Sequence, residues 1–432
     1  MKKILLVALL LLSPAVCLTF PVWAETSQDL KAGTTAANKS DYDAAIAVWT
    51  KAIEIDSKDV NAYCNRGNAW YDKGDYDKAI ADWTKVIKID SKHAIAYYNR
   101  GNAWASKGNH SKAIADYTKA IEIEPKHAFA YVNRGLSWGD KGDYEKAIAD
   151  LTKAIEIDSK YADAYYNRGN IWGKKGDFDK AIADYTKAIE IEPKHTFAYG
   201  NRGRAWQKEG NYDKAIADYT QAIEINPKDI VAYSNRGYAW EKKGDYDRAI
   251  ADLTKAIEID PKNANAYYNR GIAWGMKSDF DKAIADFTKA IESGELSYEY
   301  SSIAYSNRGT SWGKKGDYEK AITDYTKAIE INPKFTKVYN DLAWLMATCP
   351  EGRYRNGKRA VELAEKAVTL LDAGSILDTL AAAYAEAGRF QEAIKTQERA
   401  ITKLEQEGGT QYLPECEERL SSYKAGKPWR EK

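Results

Sequence analysis

Two stretches of this chain have the form of a hydrolase nucleophile elbow: Gly135-Leu136-Ser137-Trp138-Gly139 and Gly309-Thr310-Ser311-Trp312-Gly313 both read Gly-x-Ser-x-Gly. Such a serine attacks an acyl group only where a strand delivers it into a strained turn that opens a helix. Both serines here fall in the middle of a helical pattern, at a place that parallel stretches fill with Ala69, Ala103 or Ala205, so acyl transfer is not expected. His93, His127 and His195 occupy one recurring joint and read as turn residues rather than metal ligands. Cys64, Cys349 and Cys416 lack the close spacing of a zinc site; a Cys349–Cys416 disulfide is left open. Pairs such as Lys180 with Asp184 and Lys187 with Glu190 have the offsets of solvated helix surface. No glycine loop is placed to cradle a phosphate. The chain reads as non-catalytic and without a cofactor.

The residues that do recur belong to a scaffold. Asn-Arg-Gly begins at residues 65, 99, 133, 167, 201, 235 and 269, always 34 apart, and once more at 307. Counting Ala162 as position 1, Tyr165, Gly169 and Trp172 share one helical face, and Gly176 ends that helix. Asp177 offers an N-cap oxygen to a second helix, whose Phe178, Ala181, Tyr185 and Ala188 form the facing stripe until Pro193 stops it. Small Gly169 and Ala181 allow close approach, while Trp172 and Tyr185 fill the space beside them. The product is an antiparallel helical hairpin. One hairpin cannot bury its outer apolar face, so hairpins must stack.

The period and the residues at these spacings resemble the tetratricopeptide repeat (TPR) family. The resemblance implies an all-α, right-handed superhelical solenoid of about 11 helix-turn-helix units plus a C-terminal capping helix. Units start at residues 26, 60, 94, 128, 162, 196, 230, 264, 302, 336 and 374. The first is degenerate, keeping Gly33 and Ala45 but with Ala36 in place of tryptophan. This gives nine units over 26–335, with a four-residue insertion near 293–301, then two divergent units over 336–407 and a capping helix and tail over 408–432. Glu292 to Ser302 is expected to form a long joint, and about five extra residues separate the helices of the tenth unit, in Ala347 to Ala360. The last two units look like a C-terminal TPR pair appended to many bacterial repeat proteins.

Position 7, usually leucine in the family, is Arg66, Arg100, Arg134, Arg168, Arg202, Arg236, Arg270 and Arg308 in eight units. The same eight carry Asp82, Asp116, Asp150, Asp184, Asp218, Asp252, Asp286 and Asp324 at position 23. The other three have neither, holding Ala32 with Val48, Leu342 with Leu363, and Leu380 with Thr396. This co-occurrence predicts a ladder of partly buried ion pairs, within or between units; the alternative is an arginine lying solvated along its own stem.

By the resemblance, ligands lie on a concave face formed by positions 2, 5, 6, 9, 12 and 13 of each first helix. Position 6 supplies Asn65, Asn99, Asn133, Asn167, Asn201, Asn235, Asn269 and Asn307, flanked by Tyr98, Tyr166 and Tyr268. An amide both donates and accepts, which suits gripping a peptide backbone, although the same groups could serve stacking alone. Position 5 holds no lysine, so the carboxylate clamp of chaperone-binding relatives is not expected.

The first 24 residues read as an export signal: Lys2-Lys3, an apolar run from Ile4 to Leu12, and small residues at Val22 and Ala24 before a cut. Cleavage after Ala24 takes Lys2 and Lys3 from the 64 basic residues, leaving 62 against 63 acids, which excludes a basic nucleic-acid surface. No membrane span is expected afterwards. The expectation is an exported protein, periplasmic or secreted, that holds a protein or peptide partner and assembles complexes in the cell envelope. The alternative is an accessory subunit of an envelope or polysaccharide-processing enzyme complex.

Overall fold

The computed structural model describes residues 34–35 and 41–431, which fall into two compact units, one ending at Glu209 and the other beginning at Gly210. The export signal, Gly33 and Ala36 lie outside the described residues. Among the described residues the secondary structure is helical throughout, with no strand.

The hairpin starting at residue 162 shows why each element forms. Its first helix, Ala162–Lys175, ends at Gly176, whose φ of 85° places it in the left-handed region that glycine adopts freely. Asp177 then caps the second helix, Phe178–Ile191, by accepting from Lys180 N–H at 3.2 Å. At the next joint His195 caps Thr196–Lys208, its Nδ1 accepting from Ala198 N–H at 3.2 Å. His93 and His127 make the same cap, so the three histidines are turn residues with a defined acceptor role.

Within the hairpin, Ala181, Tyr185 and Ala188 are buried against the first helix. Gly169 is required there: a Cβ would stand 2.8 Å from the Tyr185 ring. Neighbouring hairpins complete each other's cores. Val132, Leu151 and Ala154 pack with Ala164 and Ile171 of the following hairpin, which is the stacking that a lone hairpin cannot supply.

Two sequence expectations change. The second helix of the eighth hairpin ends at Glu292 and the next helix already begins at Tyr298, running 17 residues to Lys314, so half of the long joint is helix. Lys180 pairs with its own N-cap, Asp177, at 2.6 Å and not with Asp184, which is buried. Asp184 is held instead by Arg168 of the first helix, so the i,i+4 offset goes unused.

In the second unit, Thr336–Thr348 and Gly357–Leu370 are bridged by a short 3-10 turn at Gly352–Tyr354. Gly374–Glu386 and Phe390–Gln406 follow, then a terminal helix, Leu413–Lys424. Cys64, Cys349 and Cys416 are buried, and none of the three is in a disulfide. Ser137 and Ser311 lie inside helices, and Ser311 Oγ donates to the Asn307 carbonyl at 2.9 Å.

Candidate interaction face

The arginines form a spine. Arg168 Nε and Nη2 donate to Asp184 Oδ2 and Oδ1, both at 2.8 Å, in a parallel bidentate pair inside one hairpin. Arg66–Asp82, Arg100–Asp116, Arg134–Asp150, Arg236–Asp252, Arg270–Asp286 and Arg308–Asp324 repeat it at 2.7–2.8 Å. The third arm reaches back one hairpin: Arg168 Nη1 donates to Thr152 Oγ1 at 2.9 Å, and Arg202 Nη1 to Thr186 at 3.0 Å. Asp218 is buried. The threonine is doubly used, since Thr186 Oγ1 itself donates to the Ile182 carbonyl at 2.7 Å and so offers a lone pair forward.

Hydrogen bonding to the carboxylate raises the pKa of Arg66, Arg168, Arg236, Arg270 and Arg308, with burial opposing. Each guanidinium also lies over the tyrosine three residues before it, as Arg168 does over Tyr165 at 5.7 Å. Sequence reasoning missed the threonine arm. Its signal was present: Thr50 stands in the unit that lacks the Arg–Asp pair but precedes Arg66, and donation from Arg66 to Thr50 is seen at 3.1 Å.

Six of the eight asparagines divide into two groups. Asn133 Nδ2 donates to Asn102 Oδ1 at 2.9 Å and to the Tyr98 hydroxyl at 3.1 Å, while Tyr117 OH donates to the same Asn102 oxygen at 2.8 Å. Asn201 repeats this with Asn170 at 2.8 Å and Tyr166 at 3.1 Å, and Asn99 reaches Asn68 at 3.3 Å. These amides join one hairpin to the one before. Burial raises the pKa of Tyr98, Tyr117 and Tyr166, and pushes Tyr268 to about 12, so all keep their hydroxyl protons. Tyr98 and Tyr166 also stack on His127 and His195, centroids 4.8 Å apart.

Asn167, Asn235 and Asn269 are half-buried and make no side-chain hydrogen bond. For Asn167 and Asn269 the cause is that position 9 of the preceding hairpin is Leu136 or Tyr238, not asparagine. Position 2 adds exposed apolar groups: Phe129 and Phe197 in the first unit, 51% and 58% exposed, and Val231 in the second. Phe129 meets Tyr161 edge to face at 5.2 Å. The first unit thus presents aromatic surface on the hairpins either side of Asn167, whose amide has donors and an acceptor to offer. Aromatic faces beside an amide with donors and an acceptor to offer are groups that can contact a polypeptide. Among the described residues no His, Cys, Asp or Glu cluster is arranged to hold a metal, and no helix is long and apolar enough to cross a membrane.

The chain matches the tetratricopeptide repeat model at residues 94–127, 162–195, 197–229, 264–293 and 302–335. Related TPR models match 37–74, 67–108, 140–176 and 242–278, and further ones match 218–251 and 374–407. No curated protein gives a match. Among solved structures, MamA is 32% identical over 38% of this chain and 96% of its own, with a TM-score of 0.36. YrrB, described as a TPR protein with an unusual peptide-binding site, is 28% identical over 43% of this chain and 95% of its own, with a TM-score of 0.38. A tetratricopeptide repeat protein from Parabacteroides merdae is 22% identical over 58% of this chain and 98% of its own, with a TM-score of 0.45.

Proposed function

The chain belongs to the tetratricopeptide repeat family, and from that premise we propose that it is a non-catalytic scaffold that holds protein or peptide partners on the inner face of its first helices, assembling complexes in the cell envelope. The observation that carries this reading is the surface around Asn167, an amide without a side-chain partner between hairpins that expose Phe129 and Phe197. Aromatic side chains bury much area at low entropic cost, and an unpaired amide gains a partner when a peptide backbone arrives. Asn133 and Asn201 are already engaged with the neighbouring hairpin and serve the stack. The export signal read in residues 1–24 supports the envelope location.

The test is capture of partners from a periplasmic fraction by the wild-type chain and by a Phe129→Ala, Asn167→Ala, Phe197→Ala variant. Loss of captured proteins from the variant, with its helicity intact, is expected. Retention of the same set at unchanged affinity would remove this face as the binding site.

A further inference from the structure

The sequence reading leaves Lys427 to Lys432 as a tail after the capping helix, and its described part is docked. Gly426, with φ of 68°, turns the chain back after the terminal helix, and Lys427 N–H to the Ser422 carbonyl at 3.0 Å with Ser422 Oγ to the Lys427 carbonyl at 2.9 Å fixes the turn. Beyond it, Glu431 N–H donates to the Thr348 carbonyl at 3.0 Å, as an extended peptide does. Arg430 Nη2 lies 2.6 Å from Glu386 Oε2, a close ion pair in which no N–H is aimed at that oxygen. Its Nη1 reaches the Ala347 carbonyl at 3.4 Å. Trp429 covers one face of the Arg419 guanidinium at 5.8 Å, and Trp344 covers it at 5.4 Å.

Trp344, Ala347 and Thr348 are positions 9, 12 and 13 of the tenth hairpin, and Glu386 is position 13 of the eleventh. These are inner-face positions. A stretch of the chain without secondary structure therefore lies across the first helices of the last two hairpins in the place of a ligand.

We propose that this inner face is a peptide-binding site in its own right, selective for an extended segment with tryptophan and arginine in succession, and that the chain fills it with its own C-terminal residues as a displaceable ligand. Displacement strands no charge. Glu386 keeps Arg355 Nε at 3.1 Å, and the Thr348 carbonyl and Glu431 N–H pass to water. Trp429 is the anchor: it is partly buried against the same apolar cluster as Trp344, so its departure uncovers apolar surface that an incoming tryptophan covers again. Arg419 behaves differently: buried against Asp378 at 2.9 Å, it belongs to the site's floor. A tethered ligand acts at an effective concentration in the millimolar range, so a free peptide competes poorly while the tether is intact.

The experiment uses the full chain, a chain ending at Gly426, and a full-length Arg430→Glu variant, each titrated into a fluorescein-labelled synthetic peptide of residues 426–432. Saturable binding to the truncated chain is expected, at least tenfold tighter than to the full chain. The Arg430→Glu variant, whose own tail is repelled by Glu386, is expected to gain peptide binding as well. A Trp429→Ala peptide should bind the truncated chain at least tenfold more weakly. Equal binding by full and truncated chains, no binding by the truncated chain, or no gain in Arg430→Glu would overturn the proposal. Loss of cooperative unfolding on truncation would overturn it too, since the segment would then be a strut.

Discussion

The eight hairpins of residues 60–335 and the two of residues 336–407 have the same helical pairing but are locked by opposite chemistry. In the first region each joint is polar: a bidentate Arg–Asp pair within a hairpin and a hydroxyl contact to the hairpin before it. In the second, Leu342, Leu363 and Leu380 take three of those places and Thr396 the fourth, and a buried polar network lies under the terminal helix. There Gln397 Nε2 donates to Asp378 Oδ1 at 2.7 Å and Arg419 Nε donates to the same oxygen at 2.9 Å. A lock built from directional bonds can be copied unit after unit, because each arginine finds the same carboxylate and hydroxyl at the same spacing. An apolar lock has no such register, so the end of the stack is specified once, by a buried network that is used nowhere else. The lesson is that repetition favours the polar solution and termination the unique one.

The largest effect that would break this comparison is at the terminal network. Arg419→Met leaves the Asp378 carboxylate buried with Gln397 and the Cys416 thiol as its remaining partners, and removal of one member of a buried pair costs about 3–5 kcal/mol. Urea unfolding followed by tryptophan fluorescence should show the C-terminal hairpins melting ahead of the rest. The Cys416 thiol, whose pKa burial and Asp378 push up to about 11, stays neutral and can donate to the carboxylate but supplies no positive charge to replace the guanidinium.

Next in size is the spine. Asp184→Ala strands Arg168, whose side chain is 19% exposed, so the loss should lie below the fully buried case, at about 2–3 kcal/mol. Replacing both, as Arg168→Leu with Asp184→Leu, recreates the pattern of the tenth hairpin and should come within about 1 kcal/mol of wild type. Additive single-site losses in that cycle would mean the two regions are not interchangeable solutions.

The Arg–Asp spine was legible because two residue types rose and fell together across units, and a charged group at an apolar position needs a partner. The threonine arm was not, since threonine mid-helix already has an explanation in its own i−4 carbonyl. The asparagine series looked like one ladder, yet position 9 decides which members are spent on stacking, and that depends on a neighbour 31 residues away. The exposed reading of Asp184 failed because a helical offset marks reach and not preference. The docked C-terminal segment was invisible in a pattern-based reading: Trp429, Arg419 and Trp344 are brought together only by the fold.

A third prediction concerns space. Position 8 is glycine throughout the first region but Ala343 and Ala381 in the second, where Ala364 and Gln397 stand opposite instead of tryptophan, tyrosine, leucine or phenylalanine. Gly169→Ala should therefore cost about 1–3 kcal/mol through overpacking on Tyr185. Gly200→Ala, mid-helix with nothing within 4 Å of its Cβ, should stabilise by about 0.5–1 kcal/mol. Thermal unfolding of the two variants side by side separates a glycine held by packing from one that is not.

The smallest expected effect separates the regions by pH. His127 Nδ1 accepts from Ala130 N–H, and burial holds its pKa below the ordinary value near 6.5. The unfolded imidazole therefore binds a proton first as pH falls, so stability is whole above about 6.5 and declines below it, by about 1.4 kcal/mol for each unit of depression. The chain itself supplies the control. Asp59, Asp229 and Asn263 cap the same joint elsewhere, so His127→Asn should keep the cap and flatten the pH dependence. The last two hairpins begin at Phe335 and Ala373, which give no side-chain cap, and their unfolding should not respond to this titration. Urea midpoints at pH 5 and pH 7.5, read separately for the two regions, check both statements; a decline confined to the C-terminal hairpins would show that the joint histidines are not its source.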